Sequence, residues 1–200
     1  MQTMLIATRN AHKTAEFQEI LKDLFKVSDL TAHPEIPSIE ETGATFHENA
    51  ALKAMAGSTH FSGIVLADDS GIEVDALAGA PGVFSARYAG KDATDEQNRV
   101  KLLEELDRVS AKGKARSGRF RCVLAIARNG RLIEMFEGVV NGMIINQAKG
   151  EGGFGYDPVF VPEGYCKTFA QLDATIKNKE SHRARAIAKL MEFFQEQQFF

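Results

Sequence analysis

The dipeptide Asn129-Gly130 separates the run RFRCVLAIAR from the run RLIEMFEGVV. A type I′ turn needs positive φ at both central residues, which Asn and Gly tolerate best, and its twist matches that of paired strands. Residues 119–140 are therefore expected to form a long antiparallel hairpin. A lone hairpin is marginal in water, so more sheet and helix must cover it, and the preceding segments supply both. TMLIAT, residues 3–8, reads as a short buried strand. Phe17, Ile20, Leu21 and Leu24 fall at helical spacing, so a helix begins near residues 11–13. KVSDL reads as a second strand, and Pro34 and Pro37 mark the loop after it. Thr45 and Glu48 spell a capping box that opens an alanine-rich helix to about His60, and Thr94 with Gln97 repeats it before DEQNRVKLLEEL. Between these helices GIVLAD is a strand, with IEVDAL its candidate partner across a Ser70-Gly71 turn. SAKGKARSG is polar and expected as an exposed loop, and VFV, 159–161, as a short strand. A last helix from about Ser181 carries the stripe Ile187, Leu190, Met191 and Phe194, with residues 195–200 fraying. Strands alternating with helices, then a hairpin, predict class α/β: a mixed twisted central sheet flanked by helices.

The chain has 200 residues, enough for one domain over 1–200 with room for two lobes. Its net charge of −3 argues against a broad nucleic-acid-binding face, so a polyanionic ligand needs a local basic cluster or a metal ion. Arg116, Arg119 and Arg121 alternate along a strand and are read as a solvated face. Cys122 and Cys166 match no metal-ligand spacing, and Cys122 is expected as a small core residue. The apolar start is too short for a signal peptide, and no run is long enough to span a membrane, so the cytoplasm is the expected location.

Four segments could carry chemistry. In TRNAHK, a strand ends at Thr8 and Lys13 enters a helix, so backbone N–H groups and an ammonium could hold a phosphate. Taken alone, it also suits a plain strand-to-helix turn. GEGGFGYDP formally contains G-x-G-x-x-G, but Pro158 prevents the helix that a dinucleotide fingerprint requires. Its glycines around Phe154 and Tyr156 suit a stacking platform for a nucleobase, or a tight structural turn. KNKESHRAR brings Lys177, His182 and Arg183 to the start of the final helix, offering charge and directional donors. Last is VLADDSGIEVD, an apolar run ending in Asp68 and Asp69. Phosphates on a mildly acidic protein call for Mg²⁺, which takes one or two carboxylates. Successive strand side chains point to opposite faces, so only one aspartate faces the ion. Asp69 is assigned to the site and Asp68 to bracing the loop. Glu40 and Glu41 are the second acidic source.

In this order, TRNAHK, EETGATFHENA, LADDSGIEVDALAGAPGVFSARYAG, GGFGYDPVF and SHRARA closely resemble the inosine/xanthosine triphosphate pyrophosphatase family over nearly the whole chain. The resemblance implies an Mg²⁺-dependent homodimer with two lobes around a deep substrate cleft. It implies hydrolysis of ITP, dITP and XTP to the monophosphate and pyrophosphate. By the same resemblance Thr8, Asn10 and Lys13 take the triphosphate, with Lys53 and Lys177 assisting. Arg9 either reaches the phosphates or points into solvent. Asp69 becomes the general base or metal ligand, Ser70 touches substrate, and Glu40 is the other metal ligand with Glu41 adjoining it. Phe154, Gly155, Tyr156 and Asp157 line the nucleoside pocket, and His182 with Arg183 reads the base. A Maf-type pyrophosphatase acting on pyrimidine or modified nucleotides and a non-catalytic nucleotide-binding protein are the competing readings.

Overall fold

A computed structural model describes residues 2–197. Six strands form one sheet in the order β2-β1-β3-β4-β5-β6. The strands are β1 (Gln2–Ile6), β2 (Phe25–Asp29), β3 (Ile64–Val74), β4 (Ser117–Arg128), β5 (Arg131–Ile144) and β6 (Phe160–Pro162). The helices are α1 (Ala11–Leu21), α2 (Phe46–Ser58), α3 (Asp95–Arg108), α4 (Ala174–Glu180) and α5 (His182–Glu196). β1 pairs in parallel with β2 and β3, while β6 runs antiparallel to β5, so the sheet is mixed as expected. Asn129 and Gly130 have φ of 54° and 74°, the positive pair that a type I′ turn requires. Both capping boxes form: Thr45 accepts from the Glu48 amide at the start of α2, and Thr94 from the Gln97 amide at the start of α3.

The chain divides into two compact units. The first comprises residues 1–69, 122–137 and 186–200; the second comprises 70–121 and 138–185. The first unit's core gathers Met4, Ile6, Phe17, Leu66, Leu124, Ile126, Ile187, Leu190 and Phe194. Here β4 is buried without a break from Cys122 to Ala127, the pattern of a strand covered on both faces. In the second unit the same strand alternates, with Gly118 and Phe120 buried between half-buried Arg119 and Arg121. Phe120 joins Ile72, Leu102, Leu106, Phe160 and Phe169 in that unit's core. The stripe expected on α5 is present, with Met191 at its edge. Of the expected fraying end, Gln195 and Glu196 are helical, and 198–200 lie outside the described residues.

Two expectations are corrected. Ser70-Gly71 is no turn: β3 continues through it to Val74. Gly71 is needed for close approach, since a Cβ there would lie 2.6 Å from the Gly82 carbonyl, and the neighbouring Ile72 amide donates to Ser85 Oγ at 2.9 Å. The alternating arginines are not a solvated face. Arg121 makes a two-pronged pair with Glu73 at 3.2 Å, Arg119 pairs with Asp75, and Arg116 is buried against the Ile144 carbonyl. Arg116 thereby also gives the polar 110–118 segment a buried anchor. Lys177 lies just before the last helix, as expected, on the short helix α4, which Asp173 caps through the Thr175 amide.

Candidate active site

In the first unit β3 buries both aspartates inside the strand: Asp68 is 1% exposed and Asp69 6%. A buried carboxylate must find donors or a cation, and the two find different ones, as the strand's pleat dictates. Asp68 does not brace a loop. Its Oδ1 pairs with Lys13 from the first turn of α1, and its Oδ2 accepts from the Cys122 thiol at 3.1 Å. Asp69 Oδ1 accepts from Lys53 Nζ at 3.0 Å. Lys53, on α2, also donates to Glu41 Oε1 at 2.6 Å and to the Asp68 carbonyl at 2.8 Å. Asp69 Oδ2 is buried and accepts no hydrogen bond from the described residues.

Burial lifts the Asp69 carboxyl above its ordinary value of 3.8, and the nearby Glu41 lifts it further, against the pull of Lys53. Burial works against the charge on Lys53, yet Asp69 and Glu41 outweigh it and its pKa stands above the ordinary value. Both directions follow from two carboxylates sharing one ammonium.

The TRNAHK turn is already satisfied from within. Asn10 caps α1, its side chain accepting from the His12 and Lys13 amides at 3.0 and 3.2 Å, while Thr8 Oγ1 accepts from the Asn10 amide at 3.1 Å. The bare row of amides expected there is therefore not present. Arg9 is exposed and donates to the Leu30 and Ile36 carbonyls, tying down the 30–36 loop. Glu40 is exposed and makes no hydrogen bond or ion pair among the described residues, whereas its neighbour Glu41 enters the Asp69–Lys53 group.

In the second unit Asp157 organises the glycine-rich loop. Its Oδ2 accepts from the Phe154 amide at 2.9 Å and from Lys177 Nζ at 2.8 Å, with both side chains of the ion pair buried. Gly153 allows this, having φ of 70° and no room for a Cβ beside the Asp157 carboxylate. Lys177 Nζ stands 4.5 Å and the Arg183 guanidinium 5.8 Å from the Phe154 ring centroid. Arg183 is buried and donates to Ser70 Oγ at 3.0 Å. His182 stacks on Phe120, with the ring planes 10° apart. The Tyr156 hydroxyl is spent on the Ser85 carbonyl at 2.8 Å, and burial pushes its pKa well up, so it serves the loop's framework.

Sequence reading missed several of these parts. Cys122 was assigned to packing alone and is also a donor to Asp68. Asp95 and Arg99, one helical turn apart on α3, hold the Gly155 backbone from both sides: Asp95 Oδ2 accepts from its amide and Arg99 donates to its carbonyl, each at 2.7 Å. Their i, i+4 spacing was the available signal, but nothing in it names a partner so far along the chain. If Phe154 and Gly155 hold substrate, Arg99→Ala should raise KM about tenfold with kcat little changed, because a charge-assisted hydrogen bond fixing the loop is lost. Steady-state kinetics would check this, and an unchanged KM would remove Arg99 from that role.

A divalent cation fits the first unit's residues. The donors are hard carboxylate oxygens, and one of them, Asp69 Oδ2, is buried without a partner. No set of three or more His, Cys, Asp or Glu side chains is gathered for a metal among the described residues. Two carboxylates with the shell completed by water and phosphate oxygens is the arrangement Mg²⁺ commonly uses.

An α/β sheet that buries two aspartates against Lys13 and Lys53, with one carboxylate oxygen unpartnered among the described residues, has the makings of a site for a cation and phosphate groups. The chain belongs to the Ham1 family, whose model matches residues 4–193. It is 48% identical over 191 residues to a dITP/XTP pyrophosphatase of Halalkalibacterium halodurans, covering 95% of this chain and 97% of that protein. It is also 48% identical over 197 residues to a dITP/XTP pyrophosphatase of Geobacillus kaustophilus, covering 98% and 96%. The solved structure of a HAM1 protein from Coxiella burnetii matches with a TM-score of 0.88 at 42% identity, covering 98% of this chain and all of that one.

Proposed function

We propose that this chain hydrolyses the non-standard purine nucleotides ITP, dITP and XTP to the monophosphate and pyrophosphate, and so clears them from the nucleotide pool. One observation carries the site assignment: Asp69, buried with one oxygen on Lys53 and the other without a partner, next to Glu41. Asp69 and Glu41 would hold the cation, taken to be Mg²⁺, which when bound neutralises charge developing on the phosphates. Glu41 replaces Glu40 as the second carboxylate because it is the one that reaches this group.

The chain's own residues supply the rest. Asp69 orients and deprotonates the water that attacks the α-phosphorus, a task suited to a carboxyl whose basicity burial has raised. Lys13, Lys53 and Lys177 take the charge of the departing pyrophosphate. Before substrate arrives each is held by a carboxylate, Asp68, Asp69 with Glu41, and Asp157 respectively. Positive charge already gathered at the site stabilises the charge that develops on the phosphates, which is where phosphoryl transfer gains most. Thr8 and Asn10 keep the turn that aims Lys13. Phe154 offers its ring to the base, Gly155 and Asp157 set the ring's position, and Ser70 holds Arg183.

Base choice follows from donor and acceptor polarity. Hypoxanthine and xanthine present a 6-oxo acceptor where adenine presents an amino donor, and His182 and Arg183 supply donors. A buried donor left facing another donor costs about 1–3 kcal/mol. Pyrophosphate release from ITP, dITP, XTP, GTP, ATP and UTP with Mg²⁺ tests the reading. ITP and XTP should lead and Arg183→Met should narrow the ITP-to-ATP ratio about tenfold or more. A preference for UTP, or binding of ITP without turnover, would overturn it. The reading includes a homodimer, which rests on the family resemblance and which sedimentation would test, and a cytoplasmic location. No helix among the described residues is long and apolar enough to cross a membrane.

A further inference from the structure

Lys53 Nζ sits within a ring of three oxygens: Glu41 Oε1 at 2.6 Å, the Asp68 carbonyl at 2.8 Å and Asp69 Oδ1 at 3.0 Å. Its side chain is 9% exposed, so little water shares the task. Several oxygens converging on one positive centre, two of them from carboxylates, is also how a hard divalent cation is held. The site is not built by accident of a loose chain. The Lys53 stem leaves α2, whose first turn is locked by the Thr45–Glu48 capping box and by the Gly43 amide donating to Asn49 Oδ1 at 2.7 Å. That last bond keeps the 40–43 segment, and with it Glu41, against α2.

We propose that Lys53 is a resident counter-ion that occupies the Glu41–Asp69 oxygens in the cation-free protein, so that this ammonium and a divalent cation compete for the same ligands. This rests on the reading above, in which Asp69 and Glu41 face a divalent cation. A carboxylate as buried as Asp69, with half-buried Glu41 beside it, would be costly without a positive partner, which the lysine provides. A cation that enters at Asp69 Oδ2 and reaches for Glu41 brings a second positive charge against the ammonium and repels it from Asp69 Oδ1 and Glu41 Oε1. The four-carbon stem of a lysine lets its ammonium swing to another acceptor, and a nucleotide's phosphate tail is such an acceptor. Cation and nucleotide thereby raise each other's affinity by the same factor, as linkage requires. The free protein binds divalent cations weakly.

The test is Mn²⁺ binding to the full chain without nucleotide, followed by the electron paramagnetic resonance of free Mn²⁺. Lys53→Met and Lys53→Gln should each bind Mn²⁺ about tenfold more tightly, or better, than the unchanged chain, since a unit positive charge has left the ring. Adding Asp69→Asn to Lys53→Met should abolish the gain. Variants that unfold cooperatively yet bind Mn²⁺ no better would overturn the proposal. If they fail to fold, the unchanged chain decides the matter through magnetic resonance of its labelled Lys53 ammonium and Asp69 carboxyl during Mg²⁺ addition. Both signals should move together. An Asp69 response with Lys53 unmoved overturns this proposal alone, whereas no Asp69 response removes the cation-site reading itself.

Discussion

Asp69→Asn is expected to lower kcat for ITP by about 10²–10⁴-fold, the range for loss of a positioned general base, while ITP still binds. Lys13 and Lys177 keep their carboxylates and Lys53 keeps Glu41 and the Asp68 carbonyl, so on the proposed reading binding survives. The same change should not weaken the fold. Burial and Glu41 raise the Asp69 pKa above 3.8. A carboxyl raised on folding stabilises the native state fully below its unfolded pKa and loses that contribution as pH climbs through the folded value. Above the folded value the native chain carries an ionised Asp69 at a cost that Asn removes, and Lys53 keeps Glu41 as its carboxylate partner. Thermal melts at pH 7 should show a Tm no lower than that of the unchanged protein. Carboxyl titration in the cation-free chain should place Asp69 above 3.8, and a value below it would contradict the electrostatic account.

Lys177→Met is expected to cost about 3–5 kcal/mol of stability, because it leaves Asp157 buried and charged without its cation. The 2.8 Å pair is enclosed on both sides, with side-chain exposures of 8% and 3%. The damage should reach function as well, since the same Asp157 oxygen accepts from the Phe154 amide. If Phe154 receives the base and Lys177 the phosphates, as proposed, losing the pair would loosen the Phe154 ring and take a positive charge away from the phosphates, raising KM. Chemical denaturation of Lys177→Met beside Lys177→Met/Asp157→Asn separates the two contributions. The double variant should regain much of the stability and little of the activity. Equal stability of Lys177→Met and the unchanged chain would show the pair to be a bystander.

What was legible in the sequence is what neighbouring residues decide among themselves. The capping boxes at Thr45 and Thr94 lie within one helical turn, and the Asn129-Gly130 turn needs only its own φ angles, so both could be read directly. Alternation of strands and helices was enough for the fold class. Ser70-Gly71 misled because a glycine in a strand looks like a turn until the segment packed against it is known, here Gly82 and Ser85. The candidate site was legible as a set of residue types but not as a set of pairs. Lys13 meets Asp68 across 55 residues and Cys122 meets it across 54, distances at which local spacing carries no signal. The choice between Glu40 and Glu41 was equally closed to sequence reading, since adjacent residues differ only in which one α2 and its lysine bring inward. Lysines read as open phosphate ligands thus turned out to be engaged already, which changes how the site must be charged and discharged.

Hydrolysis of ITP in ¹⁸O-water, with products separated and weighed by mass spectrometry, examines the reaction at its centre. Attack at the α-phosphorus by water oriented from Asp69 predicts labelled monophosphate and unlabelled pyrophosphate. Labelled pyrophosphate, or orthophosphate as the released product, would contradict it.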